Sequence, residues 1–168
     1  FDRGRYATDA SIYQVFPLGV VVPRTEADLQ AILAIAAEEG VAITARGGGT
    51  ATAGQTVGEG LVIDCSKYLN KLLFHDLGAM TCAVQPGITL EALNRQLAPE
   101  GVWFPVDIAS GSRATIGGMT ATGASGPRAL RYGGMRENVS AIDAILADAS
   151  EAVFGELPED FPDPDGPG

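Results

Sequence analysis

The run Thr44-Ala45-Arg46-Gly47-Gly48-Gly49-Thr50-Ala51-Thr52-Ala53-Gly54-Gln55 constrains this chain more than any other stretch. Three successive glycines follow an apolar, strand-like stretch, Val41 to Ala45. A second glycine-rich stretch runs from Gly111 to Gly126. Glycine has no Cβ, so its backbone N–H groups can approach an anion closely. Two such loops in one chain imply a diphosphate held between them, and therefore a nucleotide cofactor. Read alone, the same glycines also suit tight turns.

A length of 168 residues fits one domain with a real core, and an apolar fraction of 46% is ordinary for a globular protein. No apolar run reaches the ~20 residues that span a bilayer. The start, Phe1-Asp2-Arg3-Gly4-Arg5-Tyr6, has no signal-peptide pattern and no initiator Met, so a piece of a longer protein is expected. The net charge is −10, yet Phe1 to Arg136 carries 12 acids and 11 bases, and the 9 acids from Glu137 onward face no base. Without a basic stripe, nucleic acid is not an expected partner, and nothing calls for attraction to a membrane. Cys65, Cys82 and His75 are the only Cys and His residues, too few for a zinc site. Two buried, reduced thiols are expected, with a cytoplasmic setting.

Val20 to Pro23 reads as a strand. Thr25 and Asp28 form a capping-box pattern before Leu29, Ile32, Leu33 and Ala36 at helical spacing, and Gly40 is the stop. Val41 to Ala45 follows as a strand, so the unit resembles a βαβ crossover with parallel strands. Leu61 to Asp64 and Met80 to Gln85 read as further strands, and Pro86-Gly87 as a turn. Thr89 opens a second amphipathic helix with Leu90, Leu93 and Leu97 on one face and Gly101 beyond its end. Val139 to Ala147 reads as a buried strand. Residues 149–168 are expected to be an acidic, Pro-rich tail or linker, with four prolines between Leu157 and Gly168.

Of two familiar nucleotide sites, one fails and the other fits poorly. A Walker loop needs Gly-Lys-Ser/Thr, but Thr50 and Ala51 follow Gly49. A Rossmann fingerprint needs G-x-G-x-x-G opening a long amphipathic helix, which the triple glycine does not do. Instead, Ala45 to Gln55 resembles the pyrophosphate loop of the vanillyl-alcohol-oxidase type (PCMH-type) FAD-binding domain. The resemblance continues in Ile63-Asp64-Cys65-Ser66-Lys67-Tyr68-Leu69-Asn70, in Val84-Gln85-Pro86-Gly87, and most strongly from Ala114 to Gly133. Asp9-Ala10-Ser11-Ile12-Tyr13-Gln14 and Pro23 are similar to members that carry an iron–sulfur module. It spans about Tyr6 to Asp148, which sets the expected domain at residues 1–148.

The resemblance implies an α+β fold: a small βαβ lobe, about residues 18–77, beside part of a second, β-rich lobe, with non-covalent FAD between them. It implies cofactor contacts from Arg46, Gly47, Gly48, Gly49, Thr50, Gly54 and Gln55 in the first loop. The second stretch would supply Gly111, Ala114, Thr115, Gly117, Gly118, Ala121, Thr122, Ala124, Ser125, Gly126, Tyr132 and Gly133. Thr50 stands where some members carry a histidine that bonds FAD covalently, and His75 lies in a loop-like segment without an attachment motif. Arg46 would either offset phosphate charge or pair with a carboxylate. Arg128 and Arg131 are expected as solvated, Trp103 and Phe104 as core, and Asp64 as a turn or cap residue. Asp148-Ala149 replaces the usual Asp-Gly and should loosen that turn.

The implied activity is that of an FAD-linked oxidoreductase taking hydride from a D-2-hydroxy acid such as lactate, glycolate or 2-hydroxyglutarate. A non-catalytic flavin-binding fragment and an NADPH-dependent cell-wall precursor reductase of the same superfamily are the alternatives. No catalytic residue is assigned. The groups that handle substrate are expected on a cap domain outside this sequence, and the electron acceptor is not indicated.

Overall fold

The structure, a computed structural model, describes residues 2–155, the side chain of Asp2 apart. The Leu157–Gly168 tail lies outside the described residues. A one-turn helix α1 (Asp2–Arg5) precedes strand β1 (Gly19–Val21), helix α2 (Glu26–Glu38) and strands β2 (Ile43–Arg46) and β3 (Leu61–Asp64). The three strands form a parallel sheet in the order β1-β3-β2. The crossover through α2 therefore skips one place, and β3 fills the gap. α2 begins where the capping box requires: Thr25 Oγ1 accepts from Asp28 N at 3.1 Å, and Asp28 Oδ2 accepts from Thr25 N at 3.0 Å. Its Leu33 and Ala36 are buried, as are Val62 and Ile63 of β3.

The second lobe starts earlier than expected. Strand β4 (Leu72–Asp76) pairs antiparallel with β5 (Thr81–Val84), and Leu72 packs on the second lobe's core. Residues 72–77 therefore belong to this lobe, and His75 sits in a strand, not a loop. Helix α3 (Leu90–Leu97) buries Leu90, Leu93 and Leu97 and runs into a 3₁₀ turn at Ala98–Glu100, ended by Gly101 with φ 73°. Within the glycine-rich stretch, Ile116–Ala121 form helix α4, which buries Ile116 and Met119. Helices α5 (Ala129–Tyr132) and α6 (Met135–Asn138) follow. Ile88, Val106, Ala114 and Met135 complete a core built as much from helices and loops as from strands.

Strand β6 (Ile142–Ile145) pairs antiparallel with β7 (Glu151–Phe154), so the ordered fold passes Asp148, and residues 149–155 are hairpin, not tail. The connection closes through Ala149 N donating to Leu146 O at 2.9 Å and Leu146 N to Ser150 O at 2.8 Å. Ala149 takes φ 64°, the left-handed position usually held by glycine in such a bulged turn. The turn is thus kept rather than loosened, at the expense of a strained alanine.

Candidate functional site

Because β2 and β3 are parallel and in register, Arg46 and Asp64 end side by side, and Cys65 N donates to Arg46 O at 3.0 Å. Ligands of parallel sheets bind outside the carboxyl ends of the strands. A cavity of about 520 Å³ opens at that edge. One wall is Ala45 to Thr52 with Gln55 and Thr56; the other is Ile108, Ser110 and residues between Ala114 and Ala124, with Cys65 and Pro86 at the floor.

The structure brings thirteen of the nineteen expected contacts to this cavity: Arg46, Gly47, Gly48, Gly49, Thr50 and Gln55 on one side, and Ala114, Thr115, Gly117, Gly118, Ala121, Thr122 and Ala124 on the other. Six do not line it. Gly54 (φ 79°) lies beneath Tyr13; Gly111 packs against the first turn of α3, its carbonyl accepting from Glu91 N at 3.0 Å; Gly126 abuts the Asp107 carbonyl. Ser125 adjoins Gly134, Gly133 (φ 78°) ends α5, and Tyr132 meets Trp103 edge-on at 5.8 Å. Beyond the loop neighbours Ala45, Ala51, Thr52 and Thr56, the cavity is also lined by Cys65, Pro86, Ile108, Ser110 and Met119, none of them among the nineteen. The shared carboxyl edge of β2 and β3 was the available signal for Cys65; the others follow from tertiary packing.

The first wall owes its shape to missing side chains. A Cβ at Gly49 (φ 66°) would come within 2.6 Å of Arg46 Nη2. A Cβ at Gly48 would meet the Arg113 carbonyl, so the loops touch backbone to backbone. Among the described residues, the N–H groups of Gly47, Gly48, Gly49 and Thr50 donate to no protein acceptor. By contrast, the first amides of α4 are already engaged. Ile116 N donates to Ile88 O, Gly117 N to Pro86 O, and Gly118 N to Thr115 Oγ1 at 3.3 Å. An anion in this cavity thus finds its free donors in the triple-glycine loop, not at the helix.

Among the described residues Arg46 pairs with no carboxylate and is held by backbone carbonyls instead. Its Nη1 donates to Tyr6 O at 3.4 Å and Thr56 O at 3.1 Å, its Nη2 to Thr8 O at 2.8 Å, and its plane lies over the Tyr6 ring. Asp64 is buried and acts as a turn residue: it accepts from Ser66 N at 2.8 Å, Ser66 Oγ at 2.6 Å and Tyr6 Oη at 2.6 Å. Burial, then the Asp64 bond and charge, push the Tyr6 phenol up to about 12. Both cysteines are free and half-buried; burial and then the Asp64 charge raise the Cys65 thiol, and burial raises Cys82.

Among the described residues, no carboxylate and no imidazole lines this cavity. His75 lines a separate one of about 470 Å³, with Met80, Cys82, Trp103, Phe104 and Tyr132, that shares no residue with the first. Trp103 is 48% exposed there and is not core. Arg128 pairs with Asp107 at 3.3 Å, and Arg131 lies over the Tyr132 ring. No described helix is long and apolar enough to cross a membrane.

Comparison with known proteins places this cavity in context. The family model described as FAD binding domain matches residues 17–154. D-2-hydroxyglutarate dehydrogenase of Escherichia coli (strain K12) is 38% identical over 148 residues, covering 86% of this chain and 14% of that protein. Glycolate oxidase subunit GlcD of Bacillus subtilis (strain 168) is 35% identical, covering 84% of this chain and 31% of that one. The probable mitochondrial D-lactate dehydrogenase of Danio rerio is 35% identical over 88% of this chain and 30% of its own length. Among solved structures, an alkyldihydroxyacetonephosphate synthase superposes with a TM-score of 0.80 at 23% identity, covering 92% of this chain and 30% of that one.

Proposed function

From a chain that belongs to the FAD binding domain family, with FAD as its cofactor, we infer the cofactor-holding part of a dehydrogenase or oxidase acting on the CH–OH group of a D-2-hydroxy acid. The cavity carries this reading. It sets four unengaged backbone amides, from Gly47 to Thr50, opposite a wall of small residues, with no acidic side chain in its lining. Amides so arranged suit a diphosphate, and Gly117, Gly118, Ala121 and Ala124 leave room for a flat ligand against the backbone. Twelve of the thirteen lining residues expected from the sequence are the contacts we assign; Arg46, the thirteenth, is engaged by three backbone carbonyls. The substrate class rests on relatives named for D-2-hydroxyglutarate, glycolate and D-lactate, of which this chain spans between 14% and 31%.

FAD, when bound, supplies the hydride chemistry. The residues of this chain bind, orient and enclose. Gly47 to Thr50 would donate to the phosphates, and Ile108, Met119 and Pro86 would shield the bound cofactor with apolar surface. A general base must come within hydrogen-bond reach of the substrate hydroxyl. The cavity lining offers only Thr, Ser and Gln side chains, Arg46, and a thiol raised by burial, so the base belongs to a part of the protein outside these residues.

Attachment is non-covalent on the same grounds. Position 50 is threonine, His75 faces another cavity, and the Cys65 thiol is a weakened nucleophile. Titration of the cofactor-free chain with FAD, read by flavin fluorescence, tests the reading; saturable uptake is expected, with all flavin released by acid or heat. Flavin that stays with the precipitate, with a matching mass increase, overturns the attachment. No uptake at all overturns the cofactor reading.

A further inference from the structure

The segment ahead of β1 touches the cofactor loop at both ends and never enters the cavity. The matched FAD binding domain begins at residue 17, so this segment precedes it. Thr8 bridges to Gln14, and Val15 N donates to Ala7 O at 2.8 Å, closing residues 7–15 into a compact turn. Ala7 is wholly buried, and Tyr6 is fixed by its 2.6 Å bond to Asp64. At the start of the loop, Arg46 spreads its guanidinium over the carbonyls of Tyr6, Thr8 and Thr56. At its end, Asp9 Oδ2 accepts from Thr56 Oγ1 at 3.1 Å and from Thr56 N at 3.4 Å, and Asp9 Oδ1 accepts from Ser11 N at 2.8 Å. The Tyr13 ring lies over Gly54, where a Cβ would come within 2.8 Å of Tyr13 Cδ2.

Between these anchors the loop holds itself together poorly. Its internal bonds are Ala53 N to Gln55 Oε1 at 3.1 Å and Val57 N to Gly54 O at 3.4 Å, while the amides of Gly47 to Thr50 stay unengaged. A run of three glycines has high conformational entropy unless something outside fixes it.

We propose that residues Tyr6 to Gln14 form a positioning strap for the cofactor loop, with Arg46 and Asp9 as its staples. Arg46 sets FAD affinity by tying the strap to both loop ends through backbone carbonyls, and does not serve as the phosphate ligand. Asp9, which does not line the cavity, sets it from a distance. This rests on the FAD reading above.

Two readouts test it in the full chain. In FAD titration, Asp9→Ala should weaken affinity about tenfold. Arg46→Lys, which keeps the charge and loses the planar fork, should weaken it as much as Arg46→Ala. Trypsin gives a cofactor-free readout, because a guanidinium held by three carbonyls cannot enter the protease pocket. In Asp9→Ala, cleavage after Arg46 should speed at least tenfold, while cleavage after Arg95 in α3 stays as in the wild type. Equal acceleration at both sites would show general unfolding and overturn the strap. So would wild-type FAD affinity in Asp9→Ala or in Arg46→Lys. A wild-type chain that takes up no FAD sinks the cofactor reading, and the tryptic comparison then still decides whether the strap holds the loop.

Discussion

A methyl group at position 48 would meet the Arg113 carbonyl before it met any ligand. The glycine is needed first for the loops to touch and only then for a ligand to approach. Gly48→Ala should therefore cost about 1–3 kcal/mol of stability through overpacking and lower FAD affinity about tenfold or more, measured by denaturant unfolding and flavin titration. Gly118→Ala lies on the other wall, where the new Cβ comes to 3.1 Å from Thr115 Oγ1, a milder approach than that of Gly48 to backbone. It gains helix propensity in α4 and should stay within about 1 kcal/mol of wild type. Equal losses in both would refute the backbone contact as the cause. Tyr6 gives a second test at this scale. Its folded phenol lies at about 12, against about 10 in an unfolded chain. A group raised in this way stabilises fully below the unfolded value and loses its contribution as pH rises through the folded one. Stability should fall between about pH 10 and 12, and Tyr6→Phe should flatten that part of the profile. Parallel alkaline slopes for the two proteins, read from denaturant midpoints, would exclude Tyr6 as the source.

The elements that were legible in the sequence are those whose own residues decide them. Thr25 and Asp28 satisfy each other's backbone groups, and Leu90, Leu93 and Leu97 recur at helical spacing, so α2 and α3 stand where pattern puts them. The triple-glycine loop was legible for the same reason. β4 was not, because Phe74, His75 and Asp76 are exposed and carry no alternation to read; its partner β5 supplies the bonds. α4 was hidden by Gly117 and Gly118, poor helix formers that are tolerated because Pro86 crowds the first and Thr115 caps the turn. Arg46 could not be assigned from sequence, since its acceptors are carbonyls brought in from residues 6, 8 and 56. The β6–β7 turn yields the prediction of this scale. Ala149 holds φ 64°, a strain of about 1–2 kcal/mol that glycine does not feel. Ala149→Gly returns part of that gain through the entropy of the unfolded chain, so the net stabilisation should be about 0.5–1 kcal/mol. Calorimetry should show the melting temperature rising by roughly 1–4 °C. A fall would mean that the turn rearranges.

In the whole molecule, the cofactor cavity joins the parallel sheet, through Arg46 and Cys65, to the lobe that carries α3 and α4. Those lobes touch where the backbone of Gly47 and Gly48 abuts Arg113 to Thr115. A ligand bridging both walls adds its binding free energy to the stability of the pair. At a hundredfold excess over Kd, FAD should add about 2.7 kcal/mol, visible as a melting temperature that climbs with FAD concentration. Binding and turnover separate at this scale, because the cavity that fits the cofactor has no base. Positioning a substrate against its catalytic groups can supply about 7–11 kcal/mol of a barrier, and this chain provides it for the cofactor only. His75, the only histidine in the sequence, faces the other cavity beside Cys82 and Trp103. The chain loaded with FAD should therefore keep its flavin colour when mixed anaerobically with D-lactate, glycolate or D-2-hydroxyglutarate. Rapid bleaching by a D-isomer and not its L-isomer would place the base within these residues. His75→Gln would then be the first variant to examine, because retained bleaching in it would exclude the only imidazole and leave the Cys65 thiol as the remaining titratable candidate at the cavity.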